Sequence, residues 1–170
     1  MNIKSGDYQT IEDAYMKVLD GIFDLLDEVK KHTLIARRAM DQDPADMNTL
    51  SNEIVELAIL NQRLGDRVSE TGTIARAAEN HYKTVREEHK LRLVQVGQEV
   101  TDADGKTKVV KMAAGVADSA KMKLSEDEFD LWNAATGLYE QLLNMRRSSD
   151  KTVDAIRSKL SFEKIDYKNS

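Results

Sequence analysis

The chain has 170 residues, 32% of them charged, with a formal net charge of −5 and a mean hydropathy of −0.54. One proline and no cysteine exclude a disulfide framework and a thiolate metal site. No apolar run approaches the roughly 20 residues that span a bilayer, and an acidic protein is repelled by phosphate at long range. A polar start without a signal-like apolar core, together with the lack of cysteine, leads us to expect a soluble protein of a reducing cytoplasm, with no membrane contact.

In chain order, Thr10 has the form of an N-cap, with Glu12 and Asp13 in the first turn where the helix dipole favours acids. Ile11, Tyr15, Val18, Ile22, Leu25 and Val29 then recur at alternating spacings of four and three. This predicts one amphipathic helix of about 30 residues, ending near Asp41. Asp43-Pro44-Ala45-Asp46 reads as a restart, with Asp43 capping and Pro44 at the first helical position. The rhythm resumes through Met47, Leu50, Ile54, Leu57, Asn61, Leu64 and Val68. It crosses Ser69-Glu70-Thr71-Gly72-Thr73 in phase, through Thr71, Ala75, Ala78, Tyr82, Val85 and His89. Preserved phase predicts one long helix through Gly65 and Gly72, despite a cost of about 1 kcal/mol for each glycine.

The regular pattern stops between Val94 and Val110, where β-branched residues flank Asp102-Ala103-Asp104-Gly105. Asp and Gly form turns, so a short β-hairpin or an ordered loop is expected. A helical pattern then resumes from about Thr107 and runs through Ala113, Ala117 and Ala120. Ser125 to Glu128 has the form of a capping box that either starts a helix or lies inside one. Trp132, Ala135, Tyr139, Leu142, Arg146, Ser149, Val153, Ile156 and Leu160 continue the stripe.

Residues 44–96 and 107–162 are near-equal arms, each roughly 80 Å long at about 1.5 Å per residue. The fold expected is therefore all-α. It comprises an elongated antiparallel helical hairpin, a coiled coil, with an N-terminal helix completing a three-helix bundle at its base. In segments, that is an N-terminal helix over 1–43, a hairpin over 44–164 with its tip at 97–106, and a polar tail over 165–170, all in one structural unit. Alanine dominates the stripe near Ala75–Ala78 and Ala113–Ala120, which suits close two-helix packing. Larger residues concentrate where three helices would meet.

Few residues offer chemistry. Glu28 and His32 share a helix face as half of a metal site, but the paired Glu-x-x-His motif of di-iron bundles does not occur. His81 and His89 lie two turns apart. Glu126 to Asp130 lacks the glycine and alternating ligands of a calcium loop. Phosphate-binding glycine loops and a nucleophile elbow do not occur either. The expectation is a protein that is not an enzyme, with no catalytic residue, cofactor or metal. Asn61 interrupts the apolar stripe, and a polar residue there can determine register or oligomer state. Asp7 through Glu28 holds seven acids and one lysine, whereas Lys106 through Lys123 holds five lysines and one acid. Arg86, Lys90, Arg92, Lys106, Lys108 and Lys111 cluster at the tip without an evident internal partner. They form the candidate contact for nucleic acid or an acidic protein. The tip carries no aromatic residue for base stacking.

The segment ARAAENHYKTVREEHKLRL and the later WNAATGLYEQLLNMRRSSDKTVDAIRSKLSFEK resemble a group of small helical proteins of tailed bacteriophages. Members carry a Tyr and a Lys/Arg run near the end of one helix, a short Gly/Thr tip, and a closing Ile-Arg-Ser-like segment, here Ile156, Arg157 and Ser158. The resemblance covers about Thr73 to Lys164. It implies an accessory factor found near phage replication and recombination genes, acting in the host cytoplasm, and it implies no catalytic residues. The expected function is thus a helical interaction protein with a protein partner, plausibly self-associating. The alternatives are nucleic-acid binding through the basic tip and inhibition of a host defence protein.

Overall fold

The computed structural model describes residues 8–42, 44–102 and 104–169, with side chains through Phe162. Among these, five helices and one two-stranded sheet form: α1 (Tyr8–Leu19), α2 (Ile22–Met40), α3 (Met47–Gln95), β1 (Gln98–Thr101), β2 (Thr107–Val110), α4 (Ala114–Leu124) and α5 (Glu126–Asn169). The fold is all-α. Two compact units divide the chain, Met1–Ala14 with Thr73–Thr136 and Tyr15–Gly72 with Gly137–Ser170. The division cuts across the segments 1–43 and 44–164, because α1, α3 and α5 each contribute residues to both units.

The second unit, which includes Tyr15–Gly72, has a core of large aliphatics. Ala36, Ala39, Ala45, Leu50, Leu57, Val153 and Ile156 form one buried cluster, with Met40, Met47, Ile54 and Leu160 packed against it. The cluster joins α2, α3 and α5, so three helices share one core. The long helices run antiparallel there. As α3 advances through Asn61, Gly65 and Gly72, its α5 neighbours retreat through Asp150, Arg146 and Tyr139. The two glycines have a packing role as well. A Cβ on Gly72 would lie 3.0 Å from Tyr139 Cε2, and one on Gly65 would lie 3.2 Å from Arg146 Nη1. The expected continuity of α3 through both is observed.

The first unit, which includes Thr73–Thr136, is built from small residues. Ala75, Ala77, Ala78, Ala117 and Ala135 are buried, together with Ile74, Tyr82, Leu93 and Leu131. Its helices are antiparallel too: Lys121 meets Glu87, Asp118 meets Lys90, and the Met112 N–H donates to the Leu93 carbonyl at 3.1 Å.

Four local expectations are corrected. Thr10 lies inside α1 rather than capping it. The single N-terminal helix is two, because Gly21 adopts φ +72°, a left-handed conformation that ends the first helix. The burial stripe continues through Val18 and Ile22, so periodicity alone does not reveal the break. The cap of α3 is Asp46. Its carboxylate accepts from the Thr49 N–H at 3.1 Å and from the Thr49 hydroxyl at 2.6 Å. These bonds hold the Asp46 carboxyl below the usual carboxylate range. Asp43 lies outside the described residues. Finally, helix resumes at Ala114 rather than Thr107, since Thr107–Val110 is a strand.

Ser125 separates α4 from α5, but not as a capping-box hydroxyl. Its buried Oγ donates backwards to the Lys121 carbonyl at 2.7 Å, while its own carbonyl accepts from the Phe129 N–H. Glu126, Asp127 and Glu128 fill the first turn of α5, where the helix dipole favours them.

Candidate functional site

The interruption of the helical pattern is a complete β-hairpin. Gly97 ends α3, and the Arg92 carbonyl accepts from the N–H groups of both Val96 and Gly97. Gly97 has φ +92°, and a Cβ there would sit 2.8 Å from the Val110 carbonyl oxygen. Both its handedness and this close approach call for glycine. The strands pair antiparallel, Gln98 with Val110, Glu99 with Val109, Val100 with Lys108 and Thr101 with Thr107. Asp102 builds the turn. Its Oδ1 accepts from the N–H groups of Asp104 and Lys106, at 3.1 and 3.0 Å, which is local competition typical of Asp in turns. Gly105 supplies the positive φ, at +76°.

Every strand residue is exposed. Opposed residues share a face in an antiparallel pair. Gln98, Val100, Lys108 and Val110 therefore share one face, and Glu99, Thr101, Thr107 and Val109 share the other. The charge is polar along the chain: Glu99, Asp102 and Asp104 come first, then Lys106, Lys108 and Lys111. At the foot of the hairpin lies a cleft of about 410 Å³, lined by α3 residues including His89, Arg92 and Val96, by Glu99 and Val109 of the strands, and by Leu124.

The six candidate bases separate into two sets. The expectation that none has an internal partner fails for Arg86 and Lys90. Arg86 lies over the Tyr82 ring at 5.4 Å from its centroid, with Nε 3.8 Å from Glu87 Oε1. Lys90 is bonded to Asp118 at 2.9 Å. Arg92, Lys106, Lys108 and Lys111 are exposed and make no ion pair among the described residues.

Lys121, which the sequence did not single out, is the centre of the charge network. Its largely covered side chain bonds Asp118 at 2.8 Å and Glu87 at 2.9 Å. The hydrogen bonds to Asp118 and then Glu87 raise the Lys121 pKa above its ordinary value. Hydrogen bonds from Lys121 and then Lys90 lower that of Asp118, and the bond from Lys121 lowers that of Glu87. The signal available was a lysine one turn after Ala117 in a stripe of alanines. Beside the network, Tyr82 stacks on Trp132 at 5.4 Å between centroids, and Phe129 packs on both rings.

Asn61 bridges α3 to α5 within its unit, where Nδ2 donates to Asp150 Oδ1 at 2.8 Å. Its own Oδ1 is buried without a hydrogen-bond partner, as is Ser149 Oγ. The half-site of Glu28 and His32 is not assembled. Glu28 accepts from Arg63 at 2.7 Å, and His32 Nδ1 lies 2.8 Å from Glu53 Oε2. Among the described residues no group of three or more His, Cys, Asp or Glu could hold a metal. No described helix is long and apolar enough to cross a membrane. No family model, curated protein or solved structure matches the chain. The function is therefore argued from its own residues.

Proposed function

We propose that the protein is a non-enzymatic helical interaction protein whose β-hairpin, Gln98–Val110, recognises a protein partner. The observation that carries this reading is the display of the hairpin. All eight strand residues are exposed, including Val109 at 59%, yet Gly97 and the Asp102 turn fix their geometry. A two-stranded sheet alone is marginal in water. One held in place with β-branched side chains outward offers both apolar contact and free strand edges to a partner. Opposite charges on its two limbs suit a mixed protein surface better than a uniformly anionic one. The resemblance to phage accessory proteins supports a phage origin, a setting in host cytoplasm, and a partner in DNA replication or recombination.

The test replaces residues 98–110 by a short Gly-Asn-Gly connection and compares capture from host lysate. The wild type is expected to retain a discrete partner that the shortened chain loses, with helical circular dichroism unchanged in both. Equal capture by the two chains would sink the reading.

Direct nucleic-acid binding is the second reading, favoured by the exposed Lys106, Lys108 and Lys111, which make no ion pair among the described residues. It requires affinity that falls steeply with salt and that Lys→Glu changes at these three positions abolish. Equal affinity of wild type and triple variant for single- and double-stranded DNA at low salt would remove it.

A further inference from the structure

The outer face of α3 between Asn48 and Gln62 is poor in charge. Of its eight exposed residues only Glu56 is charged, whereas seven of the nine exposed residues between Phe23 and Arg38 on α2 are charged. Two large aliphatics stand on it, Val55 at 57% and Ile59 at 51% exposure. A charge-poor stripe with two large aliphatics one turn apart can bury them against a second helix.

The order of residues identifies what covers it. Asn52, Val55, Ile59 and Gln62 are spaced three, four and three apart, the spacing of a helix–helix seam. The order amide, aliphatic, aliphatic, amide reads alike from either end about Leu57. We infer that this face pairs with itself on a second copy of the chain, antiparallel about a two-fold axis near Leu57. Val55 of each copy then faces Ile59 of the other, and each Asn52 faces Gln62, where carboxamides can bond to each other. The contact is closed and self-complementary. Charge selects the antiparallel sense. Arg63 and Arg67 are already paired with Glu28 and Glu70, but a parallel pair would set the exposed Asp66 of the same stripe beside its own copy. The antiparallel pair sets it against the uncharged Asn48. Ser51 and Ala58 on one flank are small and permit close approach. Glu56 lies near its own symmetry mate, so it limits affinity.

Sedimentation equilibrium of the full chain, from about 5 to about 500 µM, tests the pairing. A monomer–dimer equilibrium is expected. Val55→Glu and Ile59→Lys should each raise the dimer Kd at least about tenfold, with circular dichroism unchanged because both side chains are half exposed. Glu56→Gln should tighten the dimer. Combining V55E with I59K should restore much of the affinity, since the new carboxylate of one copy meets the new ammonium of the other only in the antiparallel arrangement. A monomer throughout, a dimer indifferent to both single changes, or no recovery in the double variant overturns the inference. The same holds if only a foreign helix covers this face. The hairpin reading stands or falls separately, since none of these variants touches residues 98–110.

Discussion

One helix, α3, is held in two different ways. In the second unit it buries Leu50, Leu57, Leu60 and Leu64, the first two in one cluster with aliphatics of α2 and α5. In the first unit it presents Ala75, Ala77 and Ala78, then Tyr82 and Glu87, which binds Lys121. Burial of large aliphatic groups is non-directional and scales with area, at about 25 cal/mol per Å². Alanine contacts bury little but bring backbones close, so geometry, aromatic stacking and ion pairs set the register instead. The first kind of packing supplies stability, and the second positions what is mounted on it, here the hairpin.

The sharpest way to break this contrast is truncation. Leu57 is completely buried, and Leu57→Ala should lower unfolding free energy by about 2–5 kcal/mol in urea titration, through lost transfer energy and a cavity. The first unit should be sensitive in the opposite sense. Ala117→Leu, at a position with no exposure, should cost about 1–3 kcal/mol by overpacking. Indifference to enlargement at Ala117 would mean the helices there are not closely apposed.

The charge network sharpens the contrast through pH. Asp118 and Glu87 have lowered pKa values, so their contribution is fully present above the ordinary carboxylate range. It is lost as pH falls through the lowered values. Lys121 has a raised pKa, so its contribution is present below the ordinary lysine value and lost as pH rises through the raised one. Lys121→Met should therefore reduce the melting temperature at neutral pH by less than Leu57→Ala does. The gap between variant and wild type should close below about pH 4. A gap that persists in acid would mean that the Lys121 ammonium acts through something other than its bonds to the two carboxylates.

The smallest effects come from glycines inside helices. Gly137 has open space around its Cβ direction, so Gly137→Ala should stabilise by up to about 1 kcal/mol. Gly65→Ala should gain nearly as much, because only the end of Arg146 stands in the way. Gly72→Ala should gain less or lose, since the ring of Tyr139 has to move.

The sequence carried these two regimes unevenly. Leu50, Leu57 and Leu64 were legible as the stripe of one helix, and Val153 and Ile156 as that of another, because apolar spacing is a local property. The same logic carried α3 correctly through Gly72. The break at Gly21 was hidden, since a left-handed residue can sit between two segments of one stripe without disturbing it. The capping role of Asp46 is not legible in residue order, because it depends on which side chain reaches an N–H. The partner of Lys90 could not be read, as it lies 28 positions away in Asp118, whereas the ring under Arg86 belongs to Tyr82 one helical turn earlier and was within reach of the same local reading. The hairpin was legible as an alternative to a loop, but its length was not, because Thr107–Val110 fits either a strand or a helix start.

Gly105 carries a stereochemical consequence. It sits at φ +76° with nothing within 4 Å of its Cβ direction, so the turn tolerates added bulk and objects only to handedness. A D-alanine placed there by chemical ligation fits the mirror-image region that L-residues avoid. It should stiffen the turn, whereas its L enantiomer should loosen it. Two chains identical in composition and differing at one chiral centre would then differ in how firmly the recognition strands are presented.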